Sequence, residues 1–258
     1  MNMKRINWIG IYTMVRRETE RTMRVVVQTL VSPVMSATLY IFIFGHVIGS
    51  QINSIIGIPY ITFVFPGILT LSVINAAFAS SASSLYMARF TKGIEEILIT
   101  PFSYLEMIFG FMLGAIVRAL MVAVLILIVG ILFGAVTLAN PVMFILYVGA
   151  VAGIFSLLGI IVALWAEDFE ELSVLNTFVI TPLTYLGGIF YSITMLPVMV
   201  KNITLINPFF YFVDGIRGSM IGIHEGNLFV GAGVTFGLLV VLAVLVVVLF
   251  QKGWKLRV

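Results

Sequence analysis

Six stretches of this chain are each about long enough, and apolar enough, to cross a lipid bilayer, and this restricts the fold more than any motif. They lie at residues 25–48, 60–85, 107–133, 142–165, 172–191 and 228–250. A helix needs about 20 apolar residues to span the hydrocarbon core. Lipid offers no hydrogen bonds, so a spanning segment is a helix or a strand of a closed barrel. These runs are too long and too uniformly apolar for barrel strands, which alternate. The expected fold is an all-α polytopic membrane protein with six transmembrane helices. Charge content agrees: 10% of the 258 residues are charged, against about 25% in soluble domains. With 0 Cys, disulfides, thiolate chemistry and Cys-ligated metals are excluded.

The basic residues orient the set. Lys4, Arg5, Arg16, Arg17, Arg21 and Arg24 precede the first run, Arg89 and Lys92 separate the second from the third, and Lys252, Lys255 and Arg257 follow the last. Loops 46–59 and 134–141 carry no Lys or Arg. The positive-inside rule then puts both termini in the cytoplasm of a multi-pass protein of the cell (inner or plasma) membrane. No signal peptide is expected, because the first apolar run is long and lacks a small-residue cleavage site. Residues 1–24 read as an amphipathic helix, with Trp8, Ile11, Tyr12 and Val15 at i, i+3, i+4, i+7 and Arg16, Arg17, Glu20 and Arg24 elsewhere. It either lies in the headgroup plane, where basic residues meet anionic lipid, or packs on a partner in the cytoplasm. Residues 25–258 form the six-span domain.

A compact charged segment, ARFTKGIEEILITPFS at 88–103, interrupts the hydrocarbon. On a helical wheel Phe90, Ile94, Ile97 and Leu98 share one face; Lys92, Glu95 and Glu96 take the other, with Ile99 among them. Pro101 ends the helix. One face can rest on span ends while the other is offered to something soluble; a plain solvated loop helix has the same pattern. No G-x-x-x-x-G-K-[ST] phosphate loop and no G-x-S-x-G elbow occur. His46 and His224 fall on the non-cytoplasmic side and join no metal cluster. The chain is therefore not expected to be an enzyme or to hold a cofactor, and nucleic acid is not an expected partner. Energy from ATP would have to arrive through another chain.

Residues 187–227 are too long for a hairpin loop and too apolar for free solvent. Pro197, Asn207, Pro208, Gly215, Gly218 and Gly222 break them up, so short helices re-entering the outer leaflet are expected over about 192–222. Lys201, Asp214, Arg217 and Glu225 should mark the wet edges, with Asp214 and Arg217 able to pair at i, i+3. Ser72, Asn75, Ala76, Ala79, Ser80 and Ser83 make a polar stripe on the second run; Ser173, Thr177, Thr181, Thr184 and Gly188 make one on the fifth. Such stripes serve close helix packing or wall a substrate route. Arg118, inside the third run, must face protein, water or a snorkelling route; Asn75, Asn176 or a helix-end carbonyl could tether it, or it could meet a substrate phosphate. In EDFEELS, Asp168 and Glu171 read as an N-cap and capping box, in preference to a metal site.

The segment TPLTYLGGIFYSITMLP…LINPFFYFVDGIRGSMIG, from Thr181 to Gly222, resembles the signature of ABC-2 type transporter permeases. RRETERTMRVVVQTLVSPVMSATLYIFIFG is similar to that family's N-terminal helix and first span. The resemblance implies a dimer, of this chain or with a related permease, served by two copies of an ABC-type ATPase subunit that carry ATP and Mg. It implies export of bulky amphiphiles such as lipids, glycans or drugs. By position, about 89–103 resembles the coupling helix, with Arg89, Lys92, Glu95, Glu96 and Ile99 toward the ATPase. Ser72, Asn75, Ser80, Ser83, Thr177, Thr181 and Thr184 would then line the path, and Asn207, Pro208, Asp214 and Arg217 would build the outer hairpin. An ion-coupled secondary transporter and a non-transport scaffold are the rival readings.

Overall fold

The computed structural model describes residues 7–49, 51, 54–99 and 102–255. Lys4, Arg5, Thr100, Pro101 and Arg257, and the side chains of His46 and Leu98, lie outside what is described. The described chain is helical throughout except for loops and one hairpin, β1 (Ser54–Ile55) with β2 (Ile58–Pro59). Ile56 and Gly57 turn it with φ of 53° and 75°, the double positive φ of a tight two-residue hairpin.

The helices are α1 (Trp8–Arg24), α2 (Ser32–Phe42), α3 (Tyr60–Phe90), α4 (Gly93–Ile99), α5 (Tyr104–Leu132), α6 (Pro141–Trp165), α7 (Glu171–Leu175), α8 (Thr181–Tyr185), α9 (Val198–Ile206), α10 (Pro208–Ile221) and α11 (Leu228–Gln251). Local chemistry sets many of their ends. Asn140 and Asn207 cap α6 and α10, each followed by Pro at the first helical position, where a missing N–H is harmless. Ser103 and Glu106 form a reciprocal capping box on α5. Gly222, at φ 75°, ends α10.

Five helices are long and apolar enough to cross a bilayer: Val27–Gly45, Tyr60–Phe90, Tyr104–Leu132, Pro141–Trp165 and Leu228–Gln251. Val27–Gly45 includes α2 and the wider π-helical turns on either side of it. The expected fifth span is shorter than the sequence promised. Its helix runs from α7 through a π-helical stretch (Asn176–Ile180) to α8 and stops at Tyr185. Gly187 and Gly188, the latter at φ 80°, follow, and the backbone leaves the helix there. The π-helical stretches Val27–Val31 and Asn176–Ile180 each sit just before a proline, Pro33 and Pro182. A ring in mid-helix removes a donor and crowds the carbonyl four residues back, and a wider turn relieves both.

The core centres on α3, which packs against α2, α5, α6 and α10 and is buried over most of its length. Its crossing with α6 is close. A Cβ on Gly159 would stand 2.6 Å from the Phe78 carbonyl oxygen, and Ser81 Oγ donates to the Ser156 carbonyl at 2.8 Å. By contrast α11 and the span containing α2 are mostly uncovered.

The amphipathic helix α1 lies along α5 and the end of α3. It buries Gly10, Met14, Glu18 and Thr22, spaced i, i+4, together with Ile11 of the expected apolar face; of that face Val15 is half-buried, while Trp8 and Tyr12 stay 69% and 67% exposed. The packed face is therefore the Gly10–Met14–Glu18–Thr22 row with Ile11 beside it. Gly110 and Gly114 of α5 leave room for Met14 and Glu18.

Candidate functional site

At the end of the bundle where α3 meets α4, the segment 89–103 does not form a single helix. Phe90 is the last residue of α3, and Lys92 turns the chain with φ 57° before α4 begins. Phe90 is consequently out of phase with Ile94 and Ile97 and is 72% exposed, stacked on Tyr86. Ile94 is buried and Ile97 packs on the core. Lys92, Glu95, Glu96 and Ile99 face outward, Ile99 at 85% exposure.

Arg89 points the other way. It is buried, and its Nη1 donates to the carbonyls of Ala163 and Ala166 at the end of α6. Lys255 Nζ donates to the neighbouring Trp165 carbonyl at 3.2 Å and pairs with Glu167 Oε1 at 2.8 Å. Cations and donors here complement the negative end of α6. Lys255 holds the Glu167 carboxyl below the usual carboxylate range. Asp168 is not the expected cap: the helix starts at Glu171, whose carboxylate accepts from the Glu167 N–H at 2.8 Å.

At the opposite end, the segment 187–227 folds around a buried guanidinium. Arg217 is fully buried and lies 4.0 Å over the Phe63 ring. It donates to the carbonyls of Phe63 (3.3 Å) and Gly188 (2.6 Å), and its Nη1 meets Glu225 Oε2 at 3.0 Å. The Asp214–Arg217 pair expected from spacing does not form. Asp214 instead accepts from the N–H groups of Glu225 (2.7 Å) and Gly226 (3.2 Å), with His224 Nδ1 3.6 Å away. Nor do these groups mark wet edges, since the side chains of Asp214, Arg217 and Glu225 are 5%, 0% and 1% exposed. Ser192 closes the network by donating to Glu225. Burial pushes the Glu225 carboxyl above the usual carboxylate range, against the pull of Ser192 and Arg217. Asn207 caps α10 and donates to the Leu183 carbonyl at 2.7 Å; Pro208 follows it. A buried arginine held by backbone carbonyls and one carboxylate joins α3, α10 and the 188–192 loop mechanically.

The polar stripes divide. On α3, Asn75, Ala79 and Ser83 are at least partly open on an otherwise buried helix, whereas Ser72, Ala76 and Ser80 are buried within the chain. On the other stripe Ser173 and Thr177 are exposed, Thr181 is half-buried, and Thr184 and Gly188 are buried. The Oδ1 atoms of Asn75 and Asn176 are buried without a hydrogen-bond partner, as is Arg118 Nε, so neither asparagine tethers Arg118.

Sequence reasoning missed the hub at Glu18. This carboxylate is 3% exposed and is held by Arg17 (3.2 Å), Arg21 (3.1 Å) and Ser84 (2.6 Å), while Arg21 also donates to the Ser80 carbonyl at 2.9 Å. A signal existed: Glu18 falls on the same i, i+4 row as Gly10 and Met14. Glu225 and Ser192 left no comparable trace, being joined only by the tertiary fold.

Comparison with known proteins gives consistent matches. Residues 10–221 match the ABC-2 type transporter family. The chain is 38% identical over 259 residues to inner membrane transport permease YadH of Escherichia coli, covering 99% of this chain and 100% of that protein. It is 26% identical over 231 residues to nodulation protein J of Rhizobium meliloti, covering 88% and 86%, and 25% identical over 236 residues to nodulation protein J of Rhizobium leguminosarum bv. viciae, covering 89% and 88%.

Proposed function

The chain belongs to the ABC-2 type transporter family, and from that premise we propose that it is the permease of an ATP-driven exporter for an amphiphilic or bulky substrate. Like its inner-membrane relative it is a multi-pass membrane protein, and its partner is an ABC-type ATPase, the companion of permeases in this family. In this reading two ATPase copies carry ATP and Mg, two permease chains meet at an axis, and the 171–185 helix with its following turn completes six crossings. Both termini and α4 face the cytoplasm, and 192–222 dips into the outer leaflet.

The observation that carries the reading is α4. It offers Lys92, Glu95, Glu96 and Ile99 to solvent while Ile94 anchors its inner face. Arg89, one turn back, ties the same segment to the end of α6. A push on α4 therefore reaches the packed core through α3 and α6 together. The open parts of the two stripes, Asn75, Ala79 and Ser83 with Thr177 and Thr181, are the walls such a push would rearrange. Ion coupling fits poorly. Within the five long helices the one carboxylate is Glu106, and it caps the first turn of α5, whereas ion-coupled carriers place carboxylates inside spans.

The test is reconstitution with the ATPase subunit. Glu95→Lys with Glu96→Lys reverses the exposed face and weakens co-purification and permease-dependent ATP hydrolysis, leaving the membrane part folded. Co-purification and stimulated hydrolysis at wild-type levels in this variant would remove α4 as the docking element.

A further inference from the structure

Among the described residues two arginines are buried, Arg217 at 0% and Arg89 at 8% exposure. Backbone carbonyls hold both, but only Arg217 has a carboxylate, Glu225 at 3.0 Å. Arg89 joins no ion pair among the described residues. Its Nε is buried without a hydrogen-bond partner. The negative end of α6 offsets part of its charge. The rest has no counter-charge, and a buried charge left without one is costly.

A cavity of about 560 Å³ opens on Arg89, and Lys92 and Lys255 line it as well. Glu167 is the one carboxylate on its wall, and Lys255 already holds it at 2.8 Å. Lys92 is exposed and in no ion pair among the described residues. The stacked rings of Tyr86 and Phe90 form an aromatic wall. Tyr86 Oη donates to the Glu167 carbonyl at 3.1 Å, which ties that wall to the acidic rim. Three cations thus face a single carboxylate that is spoken for.

We propose that this cavity binds the phosphate of an anionic lipid headgroup from the leaflet on the α4 side, with Arg89 and Lys92 supplying the unpaired cations. Depth favours lipid over a soluble phosphate. Lys255 Nζ donates to the Trp165 carbonyl, so the ends of α6 and α11 lie level with each other. Trp165 and Trp254, next in sequence to the lining residues Ala166 and Lys255, are exposed there. Exposed indoles at span ends mark the headgroup layer. The neighbouring α11 is mostly uncovered and gives an acyl chain an apolar surface to lie on. A headgroup among the cations and a chain along α11 satisfy charge and apolar surface at once. The site rests on the reading above only in putting this end of the bundle at a membrane surface.

Lipid binding is read without ATP or the ATPase, so failed coupling cannot be confused with a failed site. The full-length chain in mild detergent is exposed to phosphatidylglycerol or to phosphatidylcholine, and retained lipid is counted by native mass spectrometry. Phosphatidylglycerol is expected to be retained in preference, with about fivefold weaker retention in Lys92→Gln and in Lys255→Gln. Lys252→Gln removes the same charge outside the cavity and should retain the lipid as the wild type does. Arg89→Gln should weaken retention at least as much; if it does not fold, the two lysine variants carry the test. A parallel arm measures thermal protection by millimolar glycerol 3-phosphate. Protection as strong as that by phosphatidylglycerol, lost in Lys92→Gln, would overturn the lipid as ligand and make the site one for soluble phosphates. No preference for phosphatidylglycerol, or equal loss in Lys252→Gln, overturns the site. Wild-type retention in both lysine variants does the same; if Lys255→Gln then lost the ATPase in a separate pull-down, the cavity would be a socket for that partner.

Discussion

Arg217 and Glu225, eight residues apart in sequence, meet across 3.0 Å with their side chains 0% and 1% exposed. Breaking a buried pair from one side strands the other charge. Arg217→Met and Glu225→Met are each expected to cost about 3–5 kcal/mol, with the double variant costing well below their sum. Unfolding in detergent measured over the full double-mutant cycle decides this. Additive losses would mean that the two act independently.

Arg89 donates to the carbonyls of Ala163 and Ala166 at the end of α6. Arg89→Met leaves the Ala163 carbonyl without that partner and should cost about 1–3 kcal/mol. It should also reduce permease-dependent ATP hydrolysis while leaving ATPase binding in place, because α4 keeps its exposed face. Loss of ATPase binding in step with hydrolysis would show that Arg89 acts in docking and not in transmission.

The divided stripes separate packing from passage. Ala79→Trp and Thr177→Trp place indoles on exposed positions and are expected to block export with folding retained. Ser80→Trp enters a site that is 2% exposed and should overpack the core by about 1–3 kcal/mol. Export rate is measured beside the yield of folded protein. Normal export by both Ala79→Trp and Thr177→Trp would end the route assignment.

With 0 native cysteines, single-cysteine labelling maps the segment 187–227, proposed to lie on the outer side, cleanly. Asn202 is exposed, so Asn202→Cys should react with a membrane-impermeant maleimide. Ser192 and Val213 are each 0% exposed, and Ser192→Cys and Val213→Cys should be protected. Rapid labelling of both would refute a packed outer segment.

Read alone, the sequence determined the medium, the fold class and most helix boundaries. Those follow from local facts: apolar run length, Asn and Ser caps, and Pro and Gly positions act within a few residues. It also showed α4 as a charged interruption. Phase and partnership were decided elsewhere. The turn at Lys92 put Phe90 out of register, and α1 packs through its Gly10–Met14–Glu18–Thr22 row and Ile11, leaving Trp8 and Tyr12 exposed. Arg217 took Glu225 and three backbone carbonyls in place of Asp214. A buried charge is satisfied by whatever donors and acceptors the packed helices bring within about 3 Å. Sequence spacing reports such neighbours only along one helix. Across helices, the fold alone sets which groups meet.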